Sequence, residues 1–341
     1  MNTLASSLAP DAPAAPAARR WRVPLLPEAF IGLIGLCAYW LFTDDVGLLT
    51  NMVIMSMLAL SLNLVLGQAG IASMGQAALY GAGAYAAGLV ALHASPSPLL
   101  GLGSGVLAGA LVAGLSGAVL LRAHGLTLVM LTIATAQLLL ELVNWRRDLT
   151  GGDDGLSGFS IDPLFGVFEF DFMGHTGFFY ALAALLLVHA ALRALVDSPF
   201  GLTTRAVRLD AGRVESLGGR VYAQRLTVYV VGGAVAGAAG ALSAQTTKVA
   251  SLSTLDFHLS AAVLIMVVLG GTRRLTGALL GTVAYMLIHH IASGLNPHHW
   301  LLVIGVVLVA VMLVLPGGLL DAWDRLVALA RRDKEARHGE H

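Results

Sequence analysis

Charge is scarce in this chain. Of its 341 residues only 12% are charged, about half the roughly 25% of soluble domains, whereas 57% are hydrophobic and the mean hydropathy is +0.80. That shortage excludes an ordinary soluble domain. Lysine occurs only at Lys248 and Lys334, and neither follows a glycine, so the phosphate-cradling sequence GxxxxGK[ST] is absent and the chain does not itself hydrolyse ATP. The metalloprotease pattern HExxH and the hydrolase pattern GxSxG are missing too, and no nucleophile–base pair suggests an intramembrane enzyme. The single cysteine, Cys37, excludes an internal disulfide and a thiolate metal site.

What is present is a series of apolar runs, each near the ~20 residues that carry a helix across ~30 Å of hydrocarbon. Ten spans are expected, at about 27–43, 46–66, 76–93, 98–121, 126–145, 177–196, 222–245, 257–270, 275–294 and 299–315. The fold class is therefore an all-α membrane protein, a polytopic bundle of about ten transmembrane helices. Residues 1–26 read as a disordered, Pro/Ala-rich tail, 27–320 as the transmembrane domain and 321–341 as a basic tail. The Arg19-Arg20 pair invites comparison with a twin-arginine export signal, but the segment after it lacks a small-residue cleavage site.

Orientation follows from lysine and arginine. With both termini in the cytoplasm, seventeen of the twenty basic residues fall inside, and only Arg146, Arg147 and Lys248 fall outside. The outer side collects Asp44, Asp45, Asp148, Asp153, Asp154, Asp162, Glu169, Asp171 and Asp256. One missed span would put later basic clusters on the wrong side.

The run at 65–85, VLGQAGIASMGQAALYGAGAY, is the least membrane-like part of the membrane domain. Broken helices at membrane depth are tolerated where protein or a water-filled cavity receives the freed backbone groups. The stretch from Gly67 to Gly75 is therefore expected against other helices or a pathway, with Gln68, Ser73 and Gln76 as pathway residues. Gly81, Gly83 and Gly88 read as close-packing positions. Asn63, Gln137 and Glu141 are further polar groups in apolar spans, and Glu141 is either a functional carboxylate or half of an interfacial salt bridge beside Asn144 and Arg146. His289, His290, His298 and His299 read as interfacial histidines, and no metal site is expected. The tripeptide VLG recurs at 65–67 and 268–270, each time closing an inward-running span. Short or Gly-broken spans in both halves point to a translocation site between helices.

Two loops are long. The outer one, 146–176, contains LTGGDDGLSG and sets two arginines against six acids. The inner one, 197–221, places Val207, Ala211 and Val214 on one helical face with Arg205 and Arg208 off it, and reads as an amphipathic surface helix interrupted at Gly212, or as a snorkelling basic loop.

Four segments together resemble one family: NLVLGQAGIASMGQAALYGAGAY, LTGGDDGLSGF, SPFGLTTRAVRLDAGRVESLGGRVYAQRLTVYVVGGAVAGAAGALSA and LIMVVLGGTRRLTGALLG. In the same order over about 46–318 they are similar to the LivM-like permease subunits of bacterial branched-chain amino acid ABC importers. The resemblance implies the ABC importer permease architecture, a bacterial inner-membrane location, and a related second permease subunit in a heterodimer. It also implies two cytoplasmic ATPases, a periplasmic substrate-binding protein, contact with membrane lipid, and no nucleic acid. ATP and Mg would sit on the partner subunits, with no cofactor on this chain. By the same resemblance Asp210, Arg213, Glu215, Leu217 and Gly218 match the ATPase-coupling segment. Gly67, Gly70, Ser73 and Gly75 match the broken segment beside the pathway. Gly151, Gly152 and Gly155, with Asp153 and Asp154 between them, match the outer loop near the docked binding protein. Gln76 stands where the family usually has histidine, Gln137 where glutamate is common and Leu140 where arginine is. These neutral replacements widen the expected cargo from branched-chain amino acids to related amino acids, small amides and organic acids. The alternative from another class is an ion-coupled secondary transporter, for which Glu141 is the one candidate carboxylate.

Overall fold

The computed structural model describes residues 26–41, 45–163 and 174–295, with 305, 306, 309 and 318–320. Both tails and, apart from those scattered positions, the tenth expected span lie outside the described residues. So do 164–173 of the outer loop, His298 and His299. The described residues are helical almost throughout. In order come α1 (Leu26–Leu41), α2 (Val46–Leu62) continued by a π-helical turn Asn63–Gln68, α3 (Gln76–His93), α4 (Pro98–Leu120), α5 (Leu126–Trp145) and α6 (Arg147–Thr150). Then follow α7 (His175–Val196), α8 (Pro199–Leu209), α9 (Ala211–Ser216), α10 (Val221–Thr247), α11 (Phe257–Gly270) and α12 (Leu275–Leu295). Six of the described helices are long and apolar enough to cross a membrane, and the apolar parts of α1 and α11 are shorter.

The core is built from α2, α3 and α10. Leu58, Ala59, Leu60, Val65, Ala77, Gln76, Ala84, Val228, Ala239 and Leu242 are all fully buried there. Because α3 is enclosed on nearly every side, it does not need the greasy surface of a lipid-facing helix, and glycine, alanine and tyrosine suffice. Peripheral α4 shows the opposite case. Its buried positions Gly101, Gly105, Gly109, Ala113 and Gly117 recur every fourth residue, while Leu107, Leu111, Leu115 and Val119 point away from the protein.

Small side chains let helix backbones touch, which is the main source of packing energy where lipid tails are as apolar as leucine. A Cβ on Gly105 would lie 2.9 Å from the carbonyl oxygen of Gly237, and one on Gly109 would overlap the carbonyl of Gly233. On α3, Gly83 faces the backbone of Gly237, Gly81 abuts Leu255 and Gly88 abuts Leu156. All three expected close-packing glycines of α3 thus serve packing. The seam on α4 is of the same kind, and its four-residue repeat is plain in the sequence.

At one end of the bundle, Leu156–Ser157 (β1) pairs antiparallel with Val249–Ala250 (β2), with Leu156 opposite Ala250. This short ladder fastens the loop after α5 to the end of α10. At the other end lie α8, α9, the 271–274 turn and the α4–α5 turn. The alternation of these two ends agrees with the ordering of spans read from the basic residues.

The inner loop differs from expectation in one respect. It is two helices, and the break falls at Asp210 (φ −156°, ψ 94°), while Gly212 lies inside α9. Asp210 accepts a hydrogen bond from the backbone N–H of Arg213 at 3.0 Å. An aspartate that caps a new helix start satisfies donors that a continued helix would have satisfied itself, so it ends one helix as it begins the next. The apolar face survives the break, because Val207 is buried and Ala211 and Val214 are half-buried.

Candidate functional site

The break between α2 and α3 runs from Ala69 to Gly75, and five of its seven backbone N–H groups are hydrogen-bonded. Gly70 N–H donates to Leu66 O at 3.1 Å and Ile71 N–H to Val65 O at 3.0 Å. Three hydroxyls complete the set. Met74 N–H donates to Thr132 on α5 at 3.1 Å, Gly75 N–H to Ser73 at 3.2 Å, and Ala77 N–H to Ser260 on α11 at 2.9 Å. Unpaired backbone groups in hydrocarbon cost several kcal/mol each, and polar side chains from neighbouring spans remove that cost. Gly70 itself has φ +69° and the side chain of Arg208 lies against its Cα, so both backbone and space require glycine.

Several polar side chains around the break are buried: Asn63, Ser73 and Gln76 are each under 5% exposed. Ser61 lies between the side-chain amide of Gln76 (3.2 Å) and the carbonyl of Gly232 (2.8 Å). A serine has one proton to give, and the shorter bond to Gly232 claims it. The Gln76 contact with Ser61 is through Oε1, so among the described residues Gln76 Nε2 and both polar atoms of the Asn63 side chain have no hydrogen-bond partner. Buried amides in that state call for water or for a ligand. The Ser73 side chain also meets the Tyr229 hydroxyl, which reaches Ser116 as well.

Gln68 belongs elsewhere. It sits at the far end of the π-helical turn, where its Oε1 accepts from Arg205 Nε at 3.0 Å and its Nε2 donates to Arg273 O at 3.4 Å. Arg208, one turn along α8, donates to the carbonyl oxygen of Gly67. Gln224 on α10 holds α8 from the other side, donating to Phe200 O at 2.9 Å and to Thr204 Oγ1 at 2.7 Å. Helix α8 is therefore hydrogen-bonded directly to the end of the broken span. Arg205 and Arg208 stand three residues apart, a spacing that puts both on one side of a helix. That spacing is the only sign of the link in the sequence.

Gln137 and Glu141 are not among these buried side chains. On α5, Leu128, Thr132 and Ala136 face inward, whereas Thr127, Met130, Ala134, Gln137 and Glu141 line an exposed stripe. No salt bridge joins Glu141 to Arg146, whose guanidinium instead lies 5.3 Å over the ring of Trp145. The interfacial ion-pair alternative for Glu141 is thus not formed among the described residues.

The remaining site residues are on the two end surfaces. Arg213, Glu215, Leu217 and Gly218 are exposed beyond the Asp210 cap, Leu217 at 83%, and Arg213 Nε lies 3.5 Å from Asp210 Oδ2. In the outer loop Gly151 and Gly155 have φ +77° and +71°, and a Cβ on either would run into backbone. Gly152 is buried against Arg147, while Asp153 and Asp154 point outward, Asp153 paired with Arg147 at 3.5 Å. No group of metal-binding side chains occurs among the described residues.

The family described as the permease component of branched-chain amino acid transport systems matches residues 46–312. The high-affinity branched-chain amino acid transport system permease protein LivM of Escherichia coli (strain K12) is 29% identical over 325 residues, covering 85% of this chain and 74% of that one. Its counterpart in Salmonella typhimurium is 28% identical over 319 residues with the same coverage. No solved structure matches the chain.

Proposed function

The chain belongs to the family of permease components of branched-chain amino acid transport systems, and we propose from that membership that it is one membrane half of an ATP-driven importer. The observation that carries this reading is the pair of bonds from Arg205 and Arg208 on α8 to Gln68 and Gly67 at the end of the broken span. With no phosphate-binding loop of its own, the chain needs force from a separate ATPase. That force has to enter through a surface element wired to the pathway. Helices α8 and α9 fit the part, because Glu215 and Leu217 present a carboxylate and an apolar side chain outward while α8 grips the break. Nucleotide-driven movement of α8 would pull on Gly67 and Gln68 and rearrange the side chains of Asn63, Ser73 and Gln76, alternating access around them.

The second permease subunit is supported by α5. A stripe carrying Gln137 and Glu141 at membrane depth is costly against lipid, and a pathway shared between two permeases gives it water or polar partners. The cargo on this reading is a branched-chain or related amino acid, a small amide or an organic acid. The outer loop of Gly151, Gly152, Asp153, Asp154 and Gly155 would receive the binding protein, in the periplasm of a bacterial inner membrane.

Glu215→Arg tests the assignment. Like charge set against a basic rim costs several kcal/mol in an interface, so the variant should insert normally but lose ATPase during purification and transport at least about tenfold less, an effect that needs only ~1.4 kcal/mol. Normal uptake with normal ATPase retention would sink the coupling role. Uptake by the chain without any ATPase would favour the ion-coupled alternative.

A further inference from the structure

The end of α4 and the start of α10 meet at the inner-loop end of the bundle. Tyr222 donates to the carbonyl oxygen of Ala118 at 2.7 Å, and Gly117 packs against the side chains of Leu226 and Tyr229. Three arginines flank this contact. Arg122 is four residues beyond Ala118, and Arg220 immediately precedes α10. Arg225 follows Tyr222 by three residues, a spacing that keeps both on one side of a helix. Among the described residues, none of the three guanidinium groups takes part in an ion pair or a hydrogen bond. The carboxylates at this end are engaged elsewhere or stand apart. Glu28 and Asp197 meet Arg193, Asp210 meets Arg213, and exposed Glu215 bridges to none of the three.

Two further features call for an anion at the same place. The Nε of Arg225 is buried without a hydrogen-bond partner among the described residues, and a buried donor in that state needs an acceptor. Helix α10 has no side-chain cap at its N-terminus, where Arg220 holds the cap position. The first N–H groups of a helix lack partners within it and favour negative charge. The membrane-facing surface next to the arginines is apolar. Leu107, Leu111, Leu115 and Val119 form an exposed stripe along α4 that stops about one turn short of Arg122. The stripe is about 18 Å long at the helical rise, close to the ~15 Å of hydrocarbon in one leaflet.

We propose that this corner binds an anionic phospholipid, with Arg122, Arg220 and Arg225 around its phosphate and an acyl chain along the α4 stripe. Guanidinium forks match the geometry of phosphate oxygens, and basic pockets between membrane-spanning helices bind phospholipid headgroups. The acidic surface of a soluble protein fits less well. Exposed leucines lead directly to the arginines, and a soluble partner cannot follow them into hydrocarbon. Bound lipid would fasten the last turn of α4 to the first turn of α10, just after α9. The inference requires only that these two helices cross a membrane, and it is independent of any ATPase.

The test uses the full-length chain purified in dodecyl maltoside, with its melting midpoint followed as phosphatidylglycerol or phosphatidylcholine is added. Phosphatidylglycerol should raise the midpoint by several degrees where phosphatidylcholine does not. Inorganic phosphate at equal ionic strength should have no such effect, and a matching response to it would overturn the lipid assignment. Arg122→Gln with Arg225→Gln should raise the half-saturating lipid concentration at least about tenfold. Arg146→Gln with Arg147→Gln, at the opposite end of the bundle, should leave it unchanged. If the first pair does not fold, Arg122→Gln alone, at an exposed position, should weaken the response in its place. An equal response to phosphatidylcholine, no response in the parent, or an undiminished response in the variants would overturn the site. Variants that keep the lipid response but lose a co-purifying protein would make the patch a protein surface, and the lipid assignment would fall.

Discussion

Arg205 donates its Nε proton to the Oε1 of Gln68 at 3.0 Å, across 137 positions of sequence. A hydrogen bond with one charged partner contributes about 1.5–3 kcal/mol. Arg205→Ala and Gln68→Ala should each cut uptake about tenfold or more while the protein still inserts. The double variant should be no worse than either single one, because both remove the same bond. Losses that multiply in a double-mutant cycle would show that the two side chains act separately.

Gln76 is fully buried beside Ser61. Replacing it with leucine removes a polar partner at a cost of about 1–3 kcal/mol when a buried group is left behind. Expression should remain normal, and uptake should fall or its substrate preference change. Transport indistinguishable from the parent, measured over a panel of amino acids and amides, would remove this side chain from the pathway.

Two glycines on α4 provide a matched pair. Gly103 has open space where its Cβ would be, whereas a Cβ on Gly105 would meet Ala241 and the Gly237 carbonyl. Gly103→Ala should be neutral or stabilising by up to ~1 kcal/mol, the helix-propensity gain. Gly105→Ala should lower the melting temperature, because backbone cannot move aside as a side-chain tip can. Equal melting temperatures for the two variants would argue against the α4–α10 seam.

Ser157 and Ser216 are exposed at opposite ends of the bundle. With Cys37 replaced, a cysteine at Ser157 should react with an impermeant maleimide in intact spheroplasts, and one at Ser216 only after the membrane is opened. Reversed labelling would overturn the orientation drawn from the basic residues, and the ATPase-facing role of α9 with it.

Much of this architecture was legible because lipid imposes simple rules. The fourteen-residue span ending at Gly270 could be read directly from where the apolar run stops, and so could an interruption from Gly67, although the helix in fact continues as a π-helical turn to Gln68. Gly83 and Gly88 announced packing because nothing else explains glycine inside a helix. The link between α8 and the break was not legible, since Arg208 looks like an ordinary interfacial arginine until the chain folds and sets it against Gly67. The burial of α3 was hidden for a related reason. Gln76 and Gln137 look alike in a list of polar residues within spans, yet one is enclosed by three helices and the other faces out of the chain. Helical period gives the face, but only tertiary packing decides which face is covered.

Helix α10 begins just after α9 and ends at the β1–β2 ladder, 27 residues or about 40 Å later. Gly233 and Gly237, where it presses hardest on α4, lie close to its midpoint. Both ends are tied to α4 as well, Tyr222 donating to Ala118 O and Gln245 to Pro98 O, each at 2.7 Å. Joined along their whole length, α4 and α10 form one stiff slab, so a force applied at Val221 would shift the pair together rather than bend either helix.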